Sequence, residues 1–155
     1  MMFQIVVAFT LPCMVYAAPA PASSSVSAQI RNVINGRETA SSAILAGKGT
    51  AKVLLTVATG AKEAALSVLV LEDGAQIPEH VHVASAELLY IEDGAIEMVI
   101  DGKALKAVKG DAVYIPKGVA HSARPTSGVG AVRAVQVYVG PGPEQRYLTG
   151  GKPAK

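Results

Sequence analysis

The chain has 155 residues, enough for one domain that buries roughly two-thirds of its unfolded surface and too few for a second large one. Half of the residues are hydrophobic and 17% are charged, with 15 Gly and 9 Pro, which excludes a disordered or coiled-coil chain and points to a turn-rich globule. The 14 basic and 12 acidic residues leave a net charge of +2, and the basic ones are scattered from Arg31 to Lys155 without a cluster that tracks phosphates, so nucleic acid is not an expected partner.

Residues 1–22 carry no charged side chain, and Phe3 to Val15 form an apolar run of the length expected for the core of a secretory signal rather than the roughly 20 residues of a membrane span. Val15 and Ala17, or Ala20 and Ala22, supply the small pair a signal peptidase reads. This predicts a signal peptide over 1–22 with cleavage between Ala17 and Ala22, export to the periplasm or the exterior, and no membrane association afterwards. The basic residue usual near the start of a signal is missing. Cys13 falls inside the segment, and Thr10-Leu11-Pro12 before it is a poor lipoprotein signal, so the mature chain is expected to have neither disulfide nor thiol chemistry. Phe3, Phe9 and Tyr16 leave with it, so Tyr90, Tyr114, Tyr138 and Tyr147 are the only aromatic residues left and the core is expected to be aliphatic.

Residues 23–50 are weakly patterned and are expected to form an N-terminal arm, with Gln29 to Ile34 either a short helix or extended. From Lys52 onward, apolar segments of strand length recur at Val53–Val57, Leu66–Leu71, Glu87–Ile91, Ile96–Ile100, Ala112–Ile115 and Val132–Val139. Asp73-Gly74, Asp93-Gly94, Asp101-Gly102 and Lys109-Gly110 separate them, each offering a Gly for the positive φ of a tight turn. The pattern predicts an antiparallel meander in an all-β sandwich, jelly roll or barrel over 51–140, followed by a C-terminal tail over 141–155.

The three histidines stand at ligand spacing. Alternate strand residues face one side, so His80 and His82 are expected to project together roughly 7 Å apart along the chain. Glu87 follows a gap of four residues suited to a turn, and His121 comes just after the turn-forming Pro116-Lys117-Gly118. Three neutral imidazoles and a carboxylate suit a first-row transition metal, and a six-coordinate ion so held keeps two positions open.

The stretch Gly74-x5-His80-x-His82-x4-Glu87-x6-Gly94 resembles the first cupin motif, and Gly110-x5-Pro116-x-Gly118-x2-His121 resembles the second, with 15 residues between them. Resemblance to a small single-domain cupin implies a double-stranded β-helix, or jelly-roll barrel, with a metal on His80, His82, Glu87 and His121. The second motif of that family usually ends in an Asn, where this chain has Pro125 after Ser122-Ala123-Arg124. That Asn is not a ligand in the family, so the departure concerns the local turn.

Further pocket candidates are Met98, as a core filler or substrate contact, and Tyr114 and Tyr138, whose hydroxyls can serve a substrate or close the barrel end. Arg124 and Arg133 suit either carboxylate recognition or solvent, and Glu79 is expected on the surface. The leading functional expectation is a dioxygenase-type oxidoreductase in which a divalent metal, Fe(II) before Mn, Ni, Co, Cu or Zn, serves a small oxygenated acid, enol or diketone. The alternatives are a metal-dependent isomerase, lyase or hydrolase, and a non-enzymatic metal- or ligand-binding module. A roomy apolar pocket favours the enzymes and a plugged barrel mouth the module. The expected partners are a small-molecule substrate and a second copy, in a homodimer through the first strands.

Overall fold

The computed structural model describes residues 29–150 and 152–153, so the segment expected to be a signal peptide, its expected cleavage region and Cys13 lie outside the described residues. The strands are β1 (Ser42–Ile44), β2 (Gly49–Leu55), β3 (Ala64–Leu71), β4 (Ile77–His80), β5 (Ala86–Asp93), β6 (Ala95–Ile100), β7 (Lys103–Val108), β8 (Ala112–Ile115), β9 (His121–Pro125), β10 (Val132–Val139) and β11 (Lys152–Pro153), with a five-residue helix α1 at Gln145–Thr149. Among the described residues no helix is long and apolar enough to cross a membrane.

Seven strands form one sheet in the order β11-β1-β2-β3-β10-β5-β8, and four form a second in the order β4-β9-β6-β7. This is the expected jelly-roll architecture, but not a meander. Asp101-Gly102 alone of the four Gly turns closes a hairpin, between β6 and β7. Asp73-Gly74, Asp93-Gly94 and Lys109-Gly110 carry the chain from one sheet to the other. A sharp reversal demands positive φ at Gly whether it joins neighbours or changes sheets, so the turn residues do not disclose which of the two occurs.

Gly94 shows how tight such a switch is. Its φ is +83°, and a Cβ there would stand 2.5 Å from the Ala131 carbonyl oxygen. Gly94→Ala is therefore expected to destabilise the protein by roughly 2 kcal/mol, combining left-handed backbone strain with displacement of the Ala131 backbone. Urea unfolding checks this through a lower midpoint at unchanged slope.

Strict two-residue alternation places the core between the sheets. On β10, Val132, Ala134, Gln136 and Tyr138 point inward, and they meet Leu69 and Leu71 of β3, Leu89 and Ile91 of β5, and Ile96, Met98 and Ile100 of β6. The core is mostly aliphatic, as the composition requires, but Tyr138 and Tyr147 are also buried in it beside Ala51, Val53, Ala65 and Leu69.

The segments on either side of 51–140 also join the fold. β1 joins the large sheet by pairing with β2, and Gln29 to Ile34 form no regular element, although the Arg31 N–H donates to the Thr59 carbonyl (3.0 Å). On the C-terminal side Glu144 and Tyr147 are buried, so this segment caps one end of the barrel. The Thr56 hydroxyl donates to Glu144 Oε1 (2.7 Å), and the Gly142 N–H donates to Oε2 (2.6 Å).

Candidate metal centre

The fold assembles the four candidate ligand residues from four places. His80 ends β4, His121 opens β9, and the two are direct cross-strand partners, so antiparallel pairing sets their imidazoles side by side with ring centroids 4.2 Å apart. Glu87 is the second residue of β5 and faces inward. His82 is not on the same strand as His80, contrary to expectation: β4 stops at His80 because the chain is leaving the small sheet for the large one. It is held instead by its carbonyl, which accepts the Gly118 N–H (2.9 Å) and so ties the first motif to the turn of the second. Its ring lies 4.8 Å from that of His80, and one ligand atom from each of the four residues lies within 4.8 Å of every other.

Hydrogen bonds fix which atoms face the centre. His80 Nδ1 lies 2.8 Å from the Pro78 carbonyl and His121 Nδ1 lies 2.9 Å from the Val119 carbonyl. A carbonyl only accepts, so each Nδ1 carries the proton and each Nε2 is turned to the cavity. Glu87 Oε2 stands between His82 Nε2 (3.0 Å) and His121 Nε2 (3.2 Å). His80 Nε2 is buried and has no hydrogen-bond partner among the described residues. A buried lone pair without a donor is a costly arrangement that a metal ion would relieve, so the donor set fits a transition metal on structural grounds.

The electrostatics follow. Burial pushes the Glu87 carboxyl up, but bonds with His121, His82 and Gln136 outweigh it and hold the group at about 2. Burial lowers His121, yet its contacts with Glu87 and the Val119 carbonyl raise it overall, whereas burial leaves His80 below the ordinary imidazole range.

Around these residues are Gln136, Arg146 and Tyr147, which sequence reading did not assign to the site, together with Tyr138, which it did. Gln136 Nε2 donates to Glu87 Oε1 (2.6 Å), and its own Oε1 accepts the Tyr147 hydroxyl (3.2 Å). Arg146 Nη2 donates to the hydroxyls of Tyr138 and Tyr147, each at 2.9 Å. One signal for Gln136 was present, a lone amide among inward-facing apolar positions of β10; the short capping segment offered none. Because Gln136 orients Glu87, Gln136→Leu is expected to weaken metal affinity roughly tenfold with the fold intact, measurable by competition against a chelator.

Of the other candidates, Met98 is buried and lines the cavity with His80, Glu87 and His121. Tyr138 is fully buried, with its ring edge-on to His82 at a centroid distance of 5.0 Å. Tyr114 is 62% exposed on the outer face of β8 opposite Leu88, so the pocket reading is corrected: alternation along β8 sends Ile115 inward and Tyr114 out. Arg124 pairs with Glu97 (2.8 Å) and Arg133 with Glu92 (2.7 Å) at the exposed surface, and Glu79 is exposed as expected.

Comparison with known proteins agrees with this geometry. The Cupin_2 family, described as a cupin domain, matches residues 67–138. The chain carries a cupin domain. Protein SchB of Streptomyces halstedii is 37% identical over 84 residues, which cover 54% of this chain and 61% of SchB, so the cupin region spans less than two-thirds of that relative. A predicted oxalate decarboxylase from Thermotoga maritima superposes with a TM-score of 0.63 at 21% identity, over 70% of this chain and 98% of the other. HppE, solved as its Fe(II) form, superposes with a TM-score of 0.61 at 17% identity, over 72% of this chain and 64% of HppE. At such identities the two structures establish a shared fold, and fold alone does not carry an activity.

Proposed function

We propose that this cupin domain is a metal-dependent oxidoreductase of the dioxygenase type acting on a small oxygenated molecule, with Fe(II) the favoured metal on His80, His82, Glu87 and His121. The observation that carries the reading is the chemistry of the cavity wall. Apart from the ligands, the cavity is lined by Leu69, Leu71, Ile77, Leu89, Ile96, Met98, Ala123, Val132, Ala134, Gln136 and Arg146. Among the described residues Arg146 is the one ionisable group lining it outside the ligand set, and a guanidinium does not serve as a general base. Isomerase, lyase or hydrolase chemistry that depends on such a base therefore lacks its acid–base partner. When bound, the ion supplies redox chemistry toward dioxygen and Lewis acidity toward a substrate oxygen. The protein contributes the rest: Nδ1–H bonds that lock two imidazoles, Gln136 that aims the carboxylate, and aliphatic walls that keep water away.

One observation favours a second reading. The free space beside the ligands is about 20 Å³, room for a single molecule of water's size, and this tightness suits a non-enzymatic metal-binding module. Anaerobic loading with Fe(II), followed by oxygen uptake over a panel of small oxygenated acids, enols and diketones, separates the two. Uptake that depends on one of these compounds is the expected result. A fully loaded protein that consumes no oxygen with any of them leaves the binding module, and turnover by the zinc-loaded form without oxygen restores the Lewis-acid class.

A further inference from the structure

Resting on the reading of the centre as a small-molecule metal site, we infer that Arg146 is an anion anchor and that the molecule received there carries a carboxylate.

Three observations converge on this residue. First, it is placed. Glu144 is buried and pinned by Thr56 and by the Gly142 N–H, and Gln145 Nε2 donates to the Thr56 hydroxyl (2.8 Å), so the cap holds the next residue at the barrel mouth. Second, its guanidinium is oriented but not neutralised. Both of its hydrogen bonds leave from Nη2 and end on the neutral hydroxyls of Tyr138 and Tyr147. Arg124 and Arg133 each have a glutamate, whereas among the described residues Arg146 forms no ion pair and no hydrogen bond from its Nη1 or Nε, its Cζ lying 4.9 Å over the Tyr147 ring. Third, it looks into the right space. Arg146 lines the same cavity as His80, Glu87 and His121 while remaining open to solvent, which puts it between the bulk and the metal ligands.

Charge balance then selects the ligand. Glu87 is the one acid lining the cavity, and a divalent ion on the ligand set would leave it with net positive charge beside aliphatic walls. Such a space is stabilised by an anion more than by a neutral molecule. The free Nη1 and Nε donors match carboxylate oxygens in charge-assisted bonds, and the tightness of the cavity restricts the rest of the molecule. The space beside the ligands admits one oxygen-sized group, so a small carboxylate with a second oxygen close to it, as in a 2-oxo acid, satisfies both ends: the carboxylate on the solvent side at Arg146 and only the neighbouring oxygen at the centre. The tyrosines act as positioning residues.

Isothermal titration of the Co(II)-loaded full chain tests this with pyruvate and its neutral methyl ester. The expected result is that wild-type protein prefers pyruvate, that Arg146→Gln weakens pyruvate binding about 10- to 100-fold, that Arg146→Lys restores part of it, and that the ester is bound equally weakly by all three. A purely structural Arg146 would move acid and ester together. Pyruvate affinity unchanged in Arg146→Gln, or no pyruvate binding by the loaded wild type, overturns the inference. Metal content is measured in each variant and is expected to be unaltered. Oxygen uptake does not enter this experiment, so an anchor found on a protein that consumes no oxygen sinks the oxidoreductase reading and leaves the anchor standing.

Discussion

Replacing Glu87 with Ala is expected to cut metal affinity by at least about 100-fold, more than loss of a supporting residue costs, and His82→Ala is expected to follow it. Glu87 is the only anion among the ligands, and its Oε2 lies 3.0 Å from His82 Nε2 and 3.2 Å from His121 Nε2, so its removal takes away both the charge that offsets a divalent ion and the group against which two imidazoles are aligned. Gln136 cannot compensate, because its amide nitrogen is aimed at Oε1 as a donor and would be left facing a cavity without an acceptor. Glu87→Gln separates the two contributions by keeping the shape and losing the charge. Elemental analysis of the purified variants, with a thermal melt to show that each is folded, decides the matter. Full occupancy in both the Glu87 and His82 variants would remove the centre assigned to these residues.

The cluster of His80, His82, Glu87 and His121 was legible because the pattern depends on residue type and spacing, which the chain displays directly. The elements that hold it were harder to see. Lys103–Val108 is a strand with five of six residues exposed, so Lys103 and Lys106 hide any apolar alternation; it forms an edge of the small sheet, where one face and one side meet water. Ile77–His80 contains Pro78, which reads as a strand breaker and is tolerated here because this strand is the opposite edge. His121–Pro125 has the polar residues His121, Ser122 and Arg124, and its membership in the sheet is conferred by pairing with its neighbours on both sides. The cap is the least legible part. Five helical residues are too few for a periodicity to show, and the burial of Glu144 arises from Thr56, 88 residues earlier, a partner that no local pattern indicates.

Stripped of metal, the protein is expected to lose stability steeply in acid, and Glu87 to be the main cause. A group that binds its proton less readily folded than unfolded stabilises the fold above its unfolded value and ceases to do so as pH falls through the folded one. For Glu87 those limits are 4.5 and about 2, which corresponds to about 3 kcal/mol withdrawn across that window. His80 acts in the same direction at higher pH, since burial lowers its proton affinity and the unfolded chain begins to outcompete the folded one for protons below 6.5. His121 opposes them. Its proton affinity is raised overall by Glu87 and the Val119 carbonyl despite burial, so its contribution is complete below 6.5 and disappears as pH rises through the folded value. Denaturant unfolding of chelator-treated protein across the acid range measures the balance. The wild type should lose stability between pH 4.5 and 2 and Glu87→Gln should lose less, keeping the slope due to Glu144, whose carboxyl is held below the usual range against burial by the Gly142 N–H and the Thr56 hydroxyl; parallel curves for the two would mean that the Glu87 carboxylate has no favourable interaction with the imidazoles around it.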